Sequence, residues 1–128
     1  MILGIGVDIV EVARIEQAIA RHGDRFLQRV FTEDEIAYCS KMKSPAPNYA
    51  ARFAAKEAVS KAFGTGIGAP LGWHEIEVCR KESGEPFIAL HGSGADFARQ
   101  RGAGKIHLSL SHTAAYAVAQ VVIAASGT

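Results

Sequence analysis

Asn48-Tyr49-Ala50-Ala51-Arg52-Phe53-Ala54-Ala55-Lys56-Glu57-Ala58-Val59-Ser60-Lys61-Ala62-Phe63 is the longest helical pattern in the chain. It follows Ser44-Pro45-Ala46-Pro47-Asn48, which reads as a break, and stops at Gly64-Thr65-Gly66-Ile67-Gly68. On a helical wheel Ala51, Ala54, Ala55, Ala58 and Ala62 share one face, smooth enough for another backbone to pack closely. The opposite half carries Arg52, Lys56, Ser60, Glu57 and Lys61, interrupted only by Phe53. A solvated amphipathic helix, with Glu57 and Lys61 as an i,i+4 pair, has this pattern too. Here, however, three cations surround one acid, which suits a phosphate ligand whose metal is held by that acid.

Working outward, Ile2 to Val12 alternates as a strand. Leu3, Ile5, Val7 and Ile9 fall on one face; Gly4, Gly6, Asp8, Val10 and Val12 fall on the other. The glycines leave open space beside the Asp8 carboxylate. From Val12 the period turns helical through Ile15 and Ile19 to Gly23, and Phe26 to Phe31 forms a second short stretch. Thr32-Glu33-Asp34-Glu35 matches a capping box. Beyond the long helix, Glu75–Val78 and Pro86–Leu90 flank a hairpin connection, a short helix runs from about Gly94 to Gln100, and Ile106–Ser111 pairs antiparallel with Tyr116–Ile123. The expected class is α+β: one domain over residues 1–128, with an antiparallel sheet packed against one long helix and several short ones.

Composition agrees with one globular unit. The chain has 128 residues, 48% hydrophobic and 21% charged, enough for a core and too ordinary for disorder. A net charge of +1 gives no overall field for nucleic acid or a membrane surface, so electrostatic recognition must be local. Asp8 and Glu11 interrupt the N-terminal apolar run, and no run approaches a membrane span, so a cytoplasmic protein is expected. Cys39 and Cys79 form no metal motif and read as free thiols.

Asp8 and Glu57 are the candidate metal ligands, because Mg²⁺ is held by one or two carboxylates with phosphates and water completing its shell. Spacing leaves open whether the fold brings them together. Gly4-x-Gly6 does not extend to a dinucleotide fingerprint, since position 9 is Ile, and the Gly64–Gly68 loop follows its helix and lacks a Walker Lys-Ser/Thr pair. That loop reads as a helix cap whose amides could also meet a nucleotide. His107, Ser109 and Ser111 share a strand face, but a hydrolase would need a nucleophile elbow and a third triad member, and neither is evident. Arg14, Arg21, Arg25 and Arg29 recur along one side of a helical stretch, as a solvated stripe or a dock for an acidic helix.

Three segments together resemble the bacterial holo-acyl-carrier-protein synthases, the small 4′-phosphopantetheinyl transferases. They are Gly4-Ile5-Gly6-Val7-Asp8-Ile9, the run Arg52 to Gly66, and His107-Leu108-Ser109-Leu110-Ser111-His112-Thr113. The resemblance spans essentially the whole chain, and the middle segment is the specific one. It implies transfer of phosphopantetheine from coenzyme A to a serine of apo-acyl carrier protein, releasing adenosine 3′,5′-bisphosphate. By the same resemblance Asp8 and Glu57 bind Mg²⁺ and Lys61 contacts the phosphates. Arg52, Lys56, Ser60, Gly64, Thr65 and His107 attend the coenzyme, and Arg14, Arg21 and Arg25 dock the carrier protein. It further implies a homotrimer with active sites between subunits. The non-enzyme alternative is a coenzyme A or nucleotide-binding module that uses the same helix without transfer.

Overall fold

A computed structural model describes residues 1–127. The order is β1 (Ile2–Glu11), α1 (Val12–His22), α2 (Asp24–Val30), α3 (Glu33–Ser40), α4 (Pro45–Phe63), β2 (Ile76–Arg80), β3 (Pro86–Leu90), α5 (Gly92–Gln100), β4 (Ala103–His112) and β5 (Tyr116–Ala125). The strands form an antiparallel three-stranded sheet, β1-β5-β4, and a separate hairpin, β2-β3. The α+β class and single domain hold. Helix α4 starts at Pro45, inside the expected break. Prolines are tolerated in a first helical turn because its N–H groups have no intrahelical acceptor.

The alanine face packs against the large sheet at unusually short range. A Cβ built on Gly6 would lie 2.0 Å from the Ala58 carbonyl oxygen, and one on Gly4 would lie 2.0 Å from that of Ala62. The glycines therefore do not open room for a ligand, as expected from sequence; they admit the backbone of α4. Ala54, Ala58, Val59, Ala119, Val121 and Ile123 are fully buried in this layer. Each large aliphatic among them contributes roughly 1.5–3 kcal/mol by leaving water. A second cluster joins Val12, Ile15, Phe26, Val30, Phe31 and Tyr49 between α1, α2 and the first half of α4.

With the sheet on one side and α1–α3 and β2 on the other, α4 is buried on most of its circumference. The polar half expected to face solvent or ligand is largely internal: Arg52, Lys56 and Ser60 are all buried. Lys56 Nζ lies 2.7 Å from Glu35 Oε1 and donates to the carbonyls of Val30 and Trp73, each at 2.8 Å. Glu35 closes the capping box on Thr32 and also accepts from the Val78 amide at 2.7 Å. This fully desolvated pair ties α3, β2 and α4 together. The opposite sheet face is bare. Ile5, Val7 and Ile9 are 68%, 56% and 64% exposed, and Ile5 aligns across β5 Val122 with His107.

Candidate active site

Asp8 lies on the side of β1 that faces α4, two residues beyond Gly6, and so meets the helix one turn after the close contact. Lys61 Nζ is 2.7 Å from Asp8 Oδ1 and 3.2 Å from the Val7 carbonyl oxygen. Glu57, one turn earlier on α4, lines the same cleft of about 430 Å³ as Asp8, Lys61 and Arg14. Burial pushes the Glu57 carboxyl above its ordinary value, the Asp8 charge pushes it further, and Lys61 pulls it back. Two carboxylates in one partly buried cleft with a single ammonium repel one another unless a cation or a proton is added. The two acids thus meet within one chain.

The rest of the cleft is apolar. Ile15, Ala18 and Phe26 form one wall and Phe53 another, and Phe53 is backed by Trp73 at 5.0 Å between ring centroids. Sequence reading missed this wall. Its signal was present, because Phe53 is the one apolar side chain in the polar half of the α4 wheel. The cleft therefore joins a charged end to an apolar end.

Several other expected residues lie elsewhere. All three Lys56 protons are committed to Glu35, Val30 and Trp73, so the coenzyme contact expected of Lys56 is replaced by a structural one. Ser60 is likewise turned inward, its hydroxyl donating to the Glu57 carbonyl at 2.7 Å. The Arg52 guanidinium stacks on Tyr38 at 4.5 Å and donates to the Asn48 carbonyl, away from the cleft. Gly64 caps α4 in the left-handed conformation, φ 79°, which suits glycine. The amides of Gly64 and Thr65 donate to Lys61 and Ser60 carbonyls and the Thr65 hydroxyl donates to the Gly66 carbonyl at 2.8 Å, with an open approach beside the glycines. His107 sits on the outer sheet face, with the sheet between it and Asp8. It lines a different cavity, of about 440 Å³, between β3 and β4, rimmed by Lys81, Arg99 and Lys105. Arg14 reaches the Asp8 cleft; Arg21 and Arg25 line smaller basic cavities farther along α1 and α2.

Among the described residues no cluster of three or more His, Cys, Asp or Glu side chains suits a metal. A cation at Asp8 and Glu57 would therefore rely on its ligand for further oxygens, as Mg²⁺ at phosphate sites does. The donor set fits such an ion.

A family model described as the 4′-phosphopantetheinyl transferase superfamily matches residues 4–121, and the chain belongs to that superfamily. The holo-[acyl-carrier-protein] synthase of Koribacter versatilis (strain Ellin345) is 51% identical over 123 residues, covering 96% of this chain and 98% of the relative. That of Moorella thermoacetica (strain ATCC 39073 / JCM 9320) is 47% identical over 124 residues, covering 97% and 95%. Among solved structures, the synthase from Neisseria meningitidis superposes with a TM-score of 0.91 at 32% identity, covering 97% of this chain and 99% of that one. The Bacillus anthracis synthase, in complex with CoA (3′,5′-ADP), gives 0.82 at 40% identity, covering 98% and 99%. Within the superfamily the chain is thus an enzyme of the holo-[acyl-carrier-protein] synthase group.

Proposed function

We propose that this enzyme transfers 4′-phosphopantetheine from coenzyme A to a serine hydroxyl of an apo-acyl carrier protein, releasing adenosine 3′,5′-bisphosphate, with Mg²⁺ held by Asp8 and Glu57. The observation that carries this reading is the convergence of Asp8, Glu57 and Lys61 from β1 and α4 at one end of a cleft whose other end is apolar. When bound, Mg²⁺ neutralises charge on the diphosphate of coenzyme A. Lys61, with its side chain half exposed, can turn from Asp8 to a phosphate oxygen and stabilise the charge that builds there during attack. Glu57, directly or through a water, takes the serine proton as general base. The apolar wall of Ile15, Phe26 and Phe53 suits a hydrophobic residue beside that serine, and Arg14, Arg21 and Arg25 suit the acidic carrier.

The exposed Ile5, Val7 and Ile9 stripe supports a homotrimer, because a face this apolar is stabilised when another copy covers it. In such an assembly the nucleotide end would be held by His107, which faces away from its own chain's cleft, with Thr65 and the open side of Gly64 contributed by the chain that holds Asp8. Two free thiols and a coenzyme A substrate fit the cytoplasm, and no helix among the described residues is long and apolar enough to cross a membrane.

The test is transfer itself. The enzyme is incubated with coenzyme A, Mg²⁺ and apo-carrier protein, and carrier mass is followed. Asp8→Asn and Glu57→Gln should each lower the rate by about 10²-fold or more, and EDTA should do so reversibly. Mixed oligomers of Asp8→Asn and His107→Ala chains should regain activity, whereas mixtures of Asp8→Asn and Glu57→Gln should not. Full activity in excess EDTA would overturn the metal assignment, and no modification of any carrier would overturn the reaction.

A further inference from the structure

The C-terminal end of α4 poses a charge problem for any phosphate that lies beside it. Anions are favoured at helix N-termini, where the aligned peptide dipoles leave partial positive charge; a C-terminus carries the opposite sign and unpaired carbonyls. Lys61, Gly64 and Thr65 all lie in or just beyond the last turn of α4. The carbonyls of that turn are answered one by one. That of Ser60 accepts from the Thr65 and Gly66 amides at 3.0 and 3.4 Å, and that of Lys61 from the Gly64 amide at 3.0 Å. The Ala62 carbonyl lies against Gly4. The last, that of Phe63, accepts from the Arg101 guanidinium at 3.3 Å. Arg101 comes from the turn between α5 and β4, which is itself fixed: its amide donates to the Phe97 carbonyl at 3.0 Å, and the Ser126 amide to the Gly102 carbonyl at 2.8 Å. The guanidinium carbon lies 5.1 Å from the Phe97 ring centroid, and Phe97 meets Phe63 edge-on at 5.6 Å. Arg101 remains exposed and, among the described residues, takes part in no ion pair, so no carboxylate neutralises its charge.

We infer that Arg101 is a positioning residue for the coenzyme: its charge offsets the negative end of α4, and its bond to Phe63 holds the Gly64–Gly66 loop, so that the anionic coenzyme can lie beside both. The inference rests on the transferase reading above. Two features confine its effect to coenzyme binding. The loop that Arg101 holds is open beside Gly64 and Gly66, where an added Cβ would meet nothing within 4 Å. Lys61 has anchors of its own on Asp8 and the Val7 carbonyl, so loss of Arg101 leaves the group that acts on the reacting phosphate in place. The bond to Phe63 exists with or without coenzyme and contributes to stability. Attraction between the guanidinium charge and the phosphates exists only in the complex, and it is this part that a binding measurement reads.

Two substitutions test this. Arg101→Met keeps an apolar side chain over Phe97 and removes the charge with its bond; Arg101→Lys keeps the charge. By titration calorimetry with adenosine 3′,5′-bisphosphate, and by coenzyme A KM, Arg101→Met should be weakened about threefold to tenfold. Arg101→Lys should stay within about twofold of wild type in both measurements. In each variant kcat at saturating coenzyme A should change by less than about twofold, and the carrier-protein KM should not change. The gap between wild type and Arg101→Met should close as salt rises toward about 1 M, where the Debye length is roughly 3 Å. A merely structural arginine would lower the Tm of Arg101→Met and leave coenzyme affinity and its salt slope alone. If Arg101→Met does not fold, Arg101→Gln makes the same comparison and should bind coenzyme more weakly than Arg101→Lys. Equal coenzyme affinity in all the variants and wild type, with transfer intact, would overturn the inference alone, as would an Arg101→Lys variant as weak as Arg101→Met. Absence of transfer by the wild type to any carrier would overturn the transferase reading and this inference with it.

Discussion

Gly6→Ala is the smallest change that should move the catalytic helix. The new Cβ would lie 2.0 Å from the Ala58 carbonyl oxygen and 2.9 Å from the Ala62 amide nitrogen. A carbon and a carbonyl oxygen approach to roughly 3.3 Å at closest, so β1 and α4 must separate by about 1.3 Å at this point. The neighbouring contact is Asp8 to Lys61 at 2.7 Å, and the same separation would stretch it well beyond hydrogen-bond length. Overpacking of this kind costs about 1–3 kcal/mol, less a few tenths returned because alanine restricts the unfolded chain. For a chain of this size that is a fall in Tm of roughly 4–12 °C. The obstacle is a backbone oxygen, so trimming Ala58 to glycine should not rescue the variant. Urea unfolding followed by circular dichroism gives the stability, and the transfer assay gives kcat. The variant should lose activity under conditions where it remains folded, because Glu57 and Lys61 ride on the displaced helix. Stability within about 0.5 kcal/mol of wild type, together with normal kcat, would refute the close-packing argument.

The Lys56–Glu35 pair gives an independent test of which α4 cations are structural. Lys56→Met leaves a buried carboxylate without its cation and should cost about 3–5 kcal/mol, and a double-mutant cycle with Glu35→Gln should show a coupling of about 2 kcal/mol or more. Protein that stays folded should keep its coenzyme A KM, and a raised KM without loss of stability would return Lys56 to the ligand site. The Cys39 thiol makes a prediction at alkaline pH. Burial pushes its pKa from 9.0 to about 11, so the unfolded chain ionises first. Its contribution is intact below pH 9 and is lost as pH rises toward 11, by about 1.4 kcal/mol near pH 10. Cys39→Ala should have a correspondingly flatter fall of stability with pH, and an unchanged slope would count against the shift.

Much of this molecule is legible from local pattern. The period of two in Ile2 to Val12, the capping box at Thr32, the glycine stop at Gly64 and the hairpin of Tyr116 with the preceding strand all depend on neighbouring residues, and each appears in the structure near its expected place. The specific run from Arg52 to Gly66 likewise carried the family, because those residues are recognisable without any contact between them. What pattern could not supply was the direction each side of α4 faces. A helical wheel shows that Lys56 and Lys61 lie on one polar half, but it cannot show that a second layer of helices covers Lys56 while Lys61 remains at the open edge. The same applies to β1. Alternation separates the glycine face from the Ile5, Val7 and Ile9 face, yet it was tertiary packing that put the glycines against a helix and left the isoleucines in solvent. Periodicity is a property of one segment's own geometry. Burial, and with it the pairing of Asp8 with Glu57 and the exclusion of Lys56, depends on which other segment arrives, and that is decided only when close packing of the whole chain selects one arrangement.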